Sequence, residues 1–226
     1  MDLQIKDVAD LLQVSQDTVC QWIDEKTIPV YQINDQYRFN RMEVERWMLN
    51  RKRDPKQCSF GEKGENERYG TQAYSFFRAI HKGDVLLDVP GETKEEVISY
   101  VVKEIAAKEQ LDAEGLTELL LDRENLQSTG LGNGVAIPHT RDTFLENKPN
   151  FITVAFPKKP IPFDSLDKKP VHVLFFLFAS DDKKHLHLLA KIAHFCSQPG
   201  AQIFLDSRPA KAEVLEFIKQ WESKLA

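Results

Sequence analysis

The sequence has few cysteines, no excess of basic charge and no long hydrophobic run. Cys20, Cys58 and Cys196 are too few and too far apart for a disulfide framework or a zinc cluster, which is typical of a reducing cytoplasm. The longest apolar run, VHVLFFLFA, has the length of a buried strand, whereas a membrane span needs about 20 residues. The net charge of −5 gives no general attraction to nucleic acid or anionic membranes. We therefore expect a cytoplasmic protein that does not bind membranes.

The composition divides the chain into two candidate domains. Residues 51–70, RKRDPKQCSFGEKGENERYG, are polar, contain glycine and almost lack aliphatic side chains, which is typical of a linker. We therefore predict domains at 1–52 and 73–226, separated by a linker at 53–72.

Three helices and a hairpin are predicted before the linker. Ile5 to Leu12 has a helical apolar stripe, and Ser15 is a good N-cap for a second helix. The segment TIPVYQINDQYRF predicts two short strands around Asn34-Asp35. Asn40 with Glu43 predicts a capping box for a third helix.

The longer domain mixes strands with helices. DVLLDV, FITVAF and VHVLFFLFA are dense apolar runs that predict buried strands. Thr93 and Asp112 are predicted N-caps, Asp181-Asp182 opens a further helix, and Pro209 begins the last one. This mixture predicts a sheet that is covered by helices on both faces.

The stretch STGLGNGVAIPHTR has three glycines within five residues, which leaves room for backbone N–H groups to converge on an anion. A P-loop is excluded because no lysine follows. A dinucleotide fingerprint is excluded because a helix precedes the glycines and a strand follows them. Pro138 has no N–H group, so the strand VAI should end before His139.

His139 has the chemistry of a phosphoryl acceptor. Neutral imidazole, with a reference pKa of about 6.5, is a nucleophile that can accept and return a phosphoryl group. The transfer needs hydrogen-bond donors around the phosphoryl oxygens. The candidate donors are a guanidinium, Arg123 or Arg141, and phosphate-binding groups at Ser128, Thr129, Gly132 and Gly134. The alternative is a surface turn whose histidine only binds a carbonyl group.

A second group of histidines lies on a predicted helix. His185 and His187 are about 200° apart around its axis, so they cannot share a face. His185 is in the first turn and can reach a neighbouring cleft, whereas His187 falls with Lys191 and His194 on a side predicted to be solvated. Zinc is the alternative, but HExxH is absent and no cysteine joins the group. We therefore predict neither a metal nor a cofactor.

Three segments, LLDRENLQSTGLGNGVAIPHTR, PIPFDSLDKKPVHVLFFLFAS and HLHLLAKIA, together resemble the EIIA domain of the mannitol/fructose class of the phosphotransferase system (PTS), in its nitrogen-regulatory, PtsN-type branch. The resemblance covers about residues 73–226. It implies that His139 carries the phosphoryl group, that His185 lies beside it and that Arg123 lines the site. Thr140 departs from the pattern, since the family often has glycine or alanine there.

The resemblance also implies a fold and partners. The chain is predicted to be an α+β protein, with a small winged helix-turn-helix-like domain followed by a three-layer α/β/α EIIA domain with a mixed sheet. The phosphocarrier HPr, or its nitrogen-branch relative, is the implied donor, and an unidentified protein is expected to respond to the phosphorylation state. We expect a regulator that cannot transport a sugar by itself, since no EIIC span or phosphocysteine EIIB setting is present.

Residues 1–52 resemble the small excisionase/MerR-like helix-turn-helix, including its IP…RF…W signature. The resemblance implies that the second helix enters the major groove and presents Gln16, Thr18 and Gln21. However, residues 1–50 contain five basic and nine acidic side chains, a net charge of −4, and that helix has no lysine or arginine. Such a domain can neutralise few DNA phosphates, so two hypotheses stay open. The protein is either a DNA-binding regulator that uses the EIIA domain as its sensor, or its helix-turn-helix fold is reused for protein contacts or dimerisation.

Overall fold

The computed structural model describes residues 2–12, 14–33, 36–51, 75–140, 150–165, 167–180 and 182–225. Cα proximity divides them into two compact units. The predicted linker at 53–72 and the predicted turn at Asn34-Asp35 lie outside the described residues. None of the helices in the described ranges is long and apolar enough to cross a membrane.

The first unit contains the N-terminal elements together with one later helix. Its N-terminal helices are α1 (Ile5–Leu12), α2 (Gln16–Asp24) and α3 (Arg41–Arg51). Its strands are β1 (Asp2–Leu3), β2 (Tyr31–Ile33) and β3 (Gln36–Asn40). The central strand β3 pairs antiparallel with both neighbours. The two-strand prediction missed β1, because two residues are too few to show a strand periodicity.

Side-chain caps mark where α2 and α3 begin. Ser15 Oγ accepts a backbone N–H from the first turn of α2 at 3.1 Å, and Asn40 Oδ1 accepts the N–H of Met42 at 2.9 Å. Both residues therefore act as the predicted caps. Glu43, predicted to complete a capping box, instead accepts the hydroxyl of Tyr31 at 2.6 Å.

Helix α7 (Asp182–Cys196), which the sequence assigned to the domain 73–226, packs in the first unit against α1 and α3. Arg41, at the start of α3, donates from Nη1 to Asp182 Oδ2 at 2.6 Å. Its Nε lies 3.2 Å from Oε1 of Glu45, a glutamate that is only 2% exposed. A guanidinium with several N–H donors can bind both carboxylates at once.

The two predicted sides of α7 differ in burial. The apolar stripe is buried, and it consists of Leu186, Leu189, Ala190 and Ala193. The side predicted to be solvated is half-buried instead, and it consists of His187, Lys191 and His194.

The second unit is a mixed sheet between two layers of helices. Its strands are β4 (Val85–Val89), β5 (Gly130–Gly132), β6 (Val135–Ala136), β7 (Phe151–Pro157) and β8 (Val173–Phe178). They lie in the order β4-β7-β8-β6-β5. The pairs β4–β7 and β6–β8 are parallel, and the pairs β7–β8 and β5–β6 are antiparallel. Its helices are α4 (Ser75–Lys82), α5 (Lys94–Glu109), α6 (Ala113–Leu126), α8 (Pro199–Asp206) and α9 (Lys211–Ser223).

The alternation of side chains along β8 separates the two helical layers. Phe175 faces α4, with its ring centroid 6.3 Å from that of Phe76. Leu174 and Phe176 belong to the core formed with α5 and α6 on the other face. Every residue of β7 and β8 is buried, which explains why both strands are continuous apolar runs. The predicted three-layer α/β/α architecture is confirmed.

The helix boundaries of the second unit follow the predicted caps. Thr93 Oγ1 accepts the N–H of Glu96 at 3.3 Å, and Asp112 Oδ1 accepts the N–H of Glu114 at 3.1 Å. These bonds start α5 and α6. The last helix begins at Lys211 rather than at Pro209.

Candidate functional site

His139 lies at the carboxyl end of β6 and β8. The pairing of these parallel strands continues beyond β6, because the N–H of Leu177 donates to the carbonyl of Pro138 at 3.0 Å and His139 is registered with Leu177. β6 ends at Ala136, before His139, as expected. The expectation that Pro138 also stops the pairing is wrong, since proline lacks a donor but keeps its acceptor. Carboxyl ends of parallel strands are where open α/β sheets bind ligands.

The ring of His139 is held by its own chain. Its Nδ1 lies 2.7 Å from the carbonyl oxygen of Ile137. A carbonyl can only accept, so Nδ1 carries the hydrogen, and in the neutral ring Nε2 carries the lone pair. Carbonyl binding and nucleophilic chemistry were alternatives in the sequence, but they are compatible, because a bond from Nδ1–H to a carbonyl leaves the lone pair on Nε2. The histidine is 3% exposed.

The hydroxyls of Ser128 and Thr129 are near the end of β6 but already donate elsewhere. Ile137 N–H donates to the Thr129 carbonyl at 3.1 Å, which brings this segment beside the residues that precede His139. Ser128 Oγ donates to the carbonyl of Phe163 at 2.7 Å, and Thr129 Oγ1 donates to Glu124 Oε2 at 2.6 Å. A hydroxyl has one hydrogen. Either would have to leave its acceptor before donating to a phosphoryl oxygen.

Gly132 and Gly134 lie at the other end of β6. Gly132 ends β5 and Gly134 is the second turn residue of the β5–β6 hairpin, where its carbonyl accepts the N–H of His172 at 2.8 Å. His139 lies five residues after Gly134 along extended backbone. Gly134 pairs with His172 and His139 pairs with Leu177, and these two partners are also five residues apart. At about 3.3 Å per residue this is about 16 Å. The structure therefore does not bring these two glycines together with His139.

The backbone conformation and close packing of the β5–β6 hairpin explain why residues 130 and 134 are glycines. Asn133 and Gly134 both have positive φ, 54° and 73°, as the tightest antiparallel hairpin turns require. A Cβ on Gly134 would lie 2.0 Å from Nδ1 of His172, and one on Gly130 would lie 2.6 Å from Oγ of Ser165. Convergence of their N–H groups on an anion is not needed to account for them.

A buried carboxylate, Glu124, is hydrogen-bonded to Thr129. It is 2% exposed, and its Oε2 accepts both the N–H and the hydroxyl of Thr129, at 2.9 and 2.6 Å. Lys94 Nζ lies 3.8 Å from Oε1 and binds Asp164 at 3.0 Å. Burial raises the pKa of the Glu124 carboxyl above its usual value, although the bonds from Thr129 and the charge of Lys94 act in the opposite direction.

The two remaining predicted site residues belong to different units. Arg123, in the last turn of α6, donates from Nη1 to the carbonyl of Gln127 at 2.9 Å, immediately before Ser128. Its guanidinium is therefore close to the hydroxyl segment. His185 lies on α7 in the first unit and is 4% exposed. Its pairing with His139 stays a prediction.

The segment that contains these residues matches one family model. Residues 78–221 match the model described as "Phosphoenolpyruvate-dependent sugar phosphotransferase system, EIIA 2", which covers more than half of the chain. The chain belongs to this EIIA family. The matched range includes Arg123, His139 and His185, so the resemblance noted in the sequence is confirmed at the level of the family.

Relatives of the EIIA segment include nitrogen regulatory proteins. One from Pseudomonas aeruginosa is 33% identical over 139 residues, which cover 60% of this chain and 89% of that protein. One from Escherichia coli K12 is 39% identical over 98 residues, which cover 41% of this chain but only 58% of that protein. The crystal structure of nitrogen regulatory protein IIA-Ntr from Neisseria meningitidis has 28% identity and a TM-score of 0.55, and the match covers 62% of this chain and 96% of that one.

A more distant structure supports the fold alone. The crystal structure of IIA mannitol from Escherichia coli has 20% identity and a TM-score of 0.50, and the match covers 59% of this chain and 94% of that one. The mixed sheet and its helical layers therefore agree with known IIA folds.

The segment before the EIIA domain matches a second model. Residues 3–52 match a model described as "Helix-turn-helix domain", in agreement with the predicted N-terminal fold. Gln16 and Gln21 are exposed on α2, and Gln21 Nε2 donates to Glu25 at 2.8 Å, whereas Thr18 is half-buried and bonds to Ser15. The exposed face of α2 also presents acidic side chains and no basic one.

Glu124, Lys94 and Asp164 were not predicted from the sequence to lie near the candidate site. Glu124 follows Leu116 and Leu120 at intervals of four on α6, and all three are buried. Residues spaced by four lie on one helix face, so this glutamate could have been found as a carboxylate on an apolar stripe. No comparable signal marks Lys94 and Asp164, which the fold brings together from distant positions.

Gly134→Ala is expected to destabilise the EIIA domain by about 2–4 kcal/mol, since it combines strain at positive φ with an overlap on the His172 ring. Urea denaturation checks this. Asn133→Gly is the matched control and should change stability by less than about 0.5 kcal/mol, because glycine accepts the same φ. Adding His172→Ala to Gly134→Ala should recover part of the loss; no recovery would contradict the overlap.

Glu124→Gln is expected to change how stability depends on pH. Because burial raises the carboxyl pKa above its ordinary value of 4.5, the folded protein keeps this proton to a higher pH than the unfolded chain does. The wild type should therefore lose stability relative to the variant as pH rises from about 4.5 through the raised value. Urea denaturation between pH 4 and 8 measures the difference, with exposed Glu118→Gln on the same helix as the control. Parallel profiles for wild type and Glu124→Gln would contradict the raised pKa.

Proposed function

We propose that this EIIA-family protein accepts a phosphoryl group on Nε2 of His139 from phosphorylated HPr or its nitrogen-branch relative. The observation that carries the proposal is the 2.7 Å bond between Nδ1 and the Ile137 carbonyl. It selects the tautomer in which Nε2 is the nucleophile. Membership of the EIIA family supports the same chemistry.

The transfer balances without an additional reactant. The Nε2 lone pair forms a bond to phosphorus while the P–N bond of the donor phosphohistidine breaks, and the electron pair of that bond returns to the donor ring. The hydrogen on Nδ1 stays in place, and the Ile137 carbonyl stabilises the positive charge that develops on the ring. Arg123 is the proposed donor to the phosphoryl oxygens.

Support for a regulatory role comes from the relatives rather than from the site. Nitrogen regulatory proteins are 33% and 39% identical to this chain, although fructose-specific PTS components are also 32% and 33% identical. We therefore propose that the phosphorylation state of His139 is recognised by a protein partner. His185 is proposed to assist at the acceptor site, as the family resemblance implies.

Incubation with phosphoenolpyruvate, Enzyme I and HPr, or the nitrogen-branch pair of carriers, is expected to label the wild type. His139→Ala should abolish labelling, because it removes the nucleophile. His172→Ala is the matched control, since this histidine immediately precedes β8, pairs with the hairpin turn at Gly134 and should leave labelling intact. NMR of the labelled protein should find phosphorus on Nε2.

Three results would count against the proposal. They are label on His139→Ala, attachment at Nδ1, and an unlabelled wild type with both carrier pairs.

A second candidate function is DNA binding through residues 1–52. The helix-turn-helix match favours it, but the acidic exposed face of α2 offers few phosphate contacts. Arg51-Lys52-Arg53, at the junction between the predicted N-terminal domain and the predicted linker, are the basic side chains that could compensate. The EIIA domain would then act as the sensor of a DNA-binding regulator.

DNA binding is expected to be weak and to depend on this basic triplet. Fluorescence anisotropy with DNA from the protein's own upstream region, at about 50 mM salt, measures it where phosphate contacts are strongest. Replacing Arg51, Lys52 and Arg53 by glutamine should reduce the slope of log K against log salt by about 2.7, at about 0.9 per lost contact. Absence of binding at about 50 mM salt would reject this function, and an unchanged slope would reject the role of the triplet.

A further inference from the structure

Glu124 occupies a position where a carboxylate is unfavourable by itself. It continues the buried apolar face of α6 after Leu116 and Leu120 and is 2% exposed. Burying a charged group costs free energy unless hydrogen bonds and an opposite charge compensate. The compensating groups include the N–H and hydroxyl of Thr129 and, at 3.8 Å, the charge of Lys94.

Both donors of Thr129 converge on one oxygen of this carboxylate. The N–H is 2.9 Å and the hydroxyl 2.6 Å from Glu124 Oε2, so the backbone and the side chain of Thr129 are fixed together. The β5–β6 pairing is irregular between Gly130 and Gly132. Strand pairing alone therefore fixes the backbone of β5 only weakly at this point. Glu124 therefore anchors β5 immediately before the irregular stretch.

The anchor is connected to the ring of His139 by two further hydrogen bonds. The carbonyl of Thr129 accepts the N–H of Ile137 at 3.1 Å. The carbonyl of Ile137 in turn accepts Nδ1–H of His139 at 2.7 Å. A displacement of Thr129 would therefore reach the carbonyl that selects the imidazole tautomer.

We propose that Glu124 is a positioning residue for His139, acting through Thr129 and Ile137, which deepens the proposed phosphoryl-acceptor function and rests on it. Thr129 then serves as a structural link, because its single hydroxyl hydrogen is directed to Glu124. Neither Glu124 nor Thr129 touches the phosphoryl group in this role. Their effect is on which ring nitrogen carries the lone pair and where that nitrogen points.

The test uses two substitutions that remove the link and two that keep it. Glu124→Met fills the apolar face but removes the acceptor, and Thr129→Val keeps the shape but removes the hydroxyl. Glu124→Gln and Thr129→Ser retain an acceptor and a hydroxyl, respectively. Glu118→Met, exposed on the same helix, is the control. Urea denaturation of each variant identifies any loss of activity that arises from unfolding.

Two readouts separate positioning from stability. Long-range proton–nitrogen NMR of the unphosphorylated protein should find His139 with hydrogen on Nδ1 in the wild type and a mixture of tautomers in Glu124→Met and Thr129→Val. Phosphoryl acceptance should fall about 10- to 100-fold in the same two variants, as expected for a small displacement of a reacting group. Glu124→Gln and Thr129→Ser should recover most of the rate, and Glu118→Met should match the wild type.

Specific outcomes overturn the proposal. Folded Glu124→Met with wild-type tautomer and rate would show that His139 is positioned without Glu124. An equal loss of rate in Glu124→Met and Glu124→Gln, with unchanged His139 signals, would show that charge acts rather than position. If the wild type accepts no phosphoryl group, the proposed function fails, whereas the tautomer measurement still decides the positioning role.

Discussion

The parallel pairing of β6 with β8 is the constraint on which the geometry around His139 depends. β6 consists of Val135–Ala136, yet its register against β8 continues through the Pro138 carbonyl to His139. Every residue of β8 is buried between two helical layers, so a one-residue shift of its register would exchange the side chains that face α4 with those that face α5 and α6. A short strand held by a long buried one thus places the histidine at a defined position on the carboxyl edge of the sheet.

Glycine density does not by itself predict an anion-binding loop, because glycine has more than one structural cause. Gly134 is required by a positive φ and by the ring of His172, and Gly130 by the close approach of Ser165. A positive φ and a close contact favour glycine just as an anion-binding loop does, so the sequence alone does not distinguish these causes. The distinction became possible only when the hairpin placed Gly134 at one end of β6 and His139 beyond the other.

Local signals predicted much of the fold, and long-range packing accounts for most of what they missed. The buried strands β7 and β8 and the caps at Thr93 and Asp112 depend on neighbouring residues, and all were identified. The β5–β6 hairpin also had a local signal, Asn-Gly at 133–134, which is typical of a tight turn but was read as part of a glycine loop. The packing of α7 against α1 and α3 had none, because it joins segments more than 130 residues apart.

The candidate site also combines features that the sequence predicts with features that only the structure shows. His139 and Arg123 could be named from residue type and from resemblance, whereas the assignment of each hydrogen needed coordinates. Ser128 donates to Phe163, Thr129 to Glu124 and His139 Nδ1 to Ile137, so each of these three hydrogens is directed to a fixed oxygen. A phosphoryl acceptor needs a lone pair before it needs donors, and carbonyl acceptors keep that lone pair on Nε2. Of the two candidate guanidinium groups for the proposed phosphoryl oxygens, Arg123 lies beside the Ser128 segment through its bond to Gln127, and Arg141 lies outside the described residues.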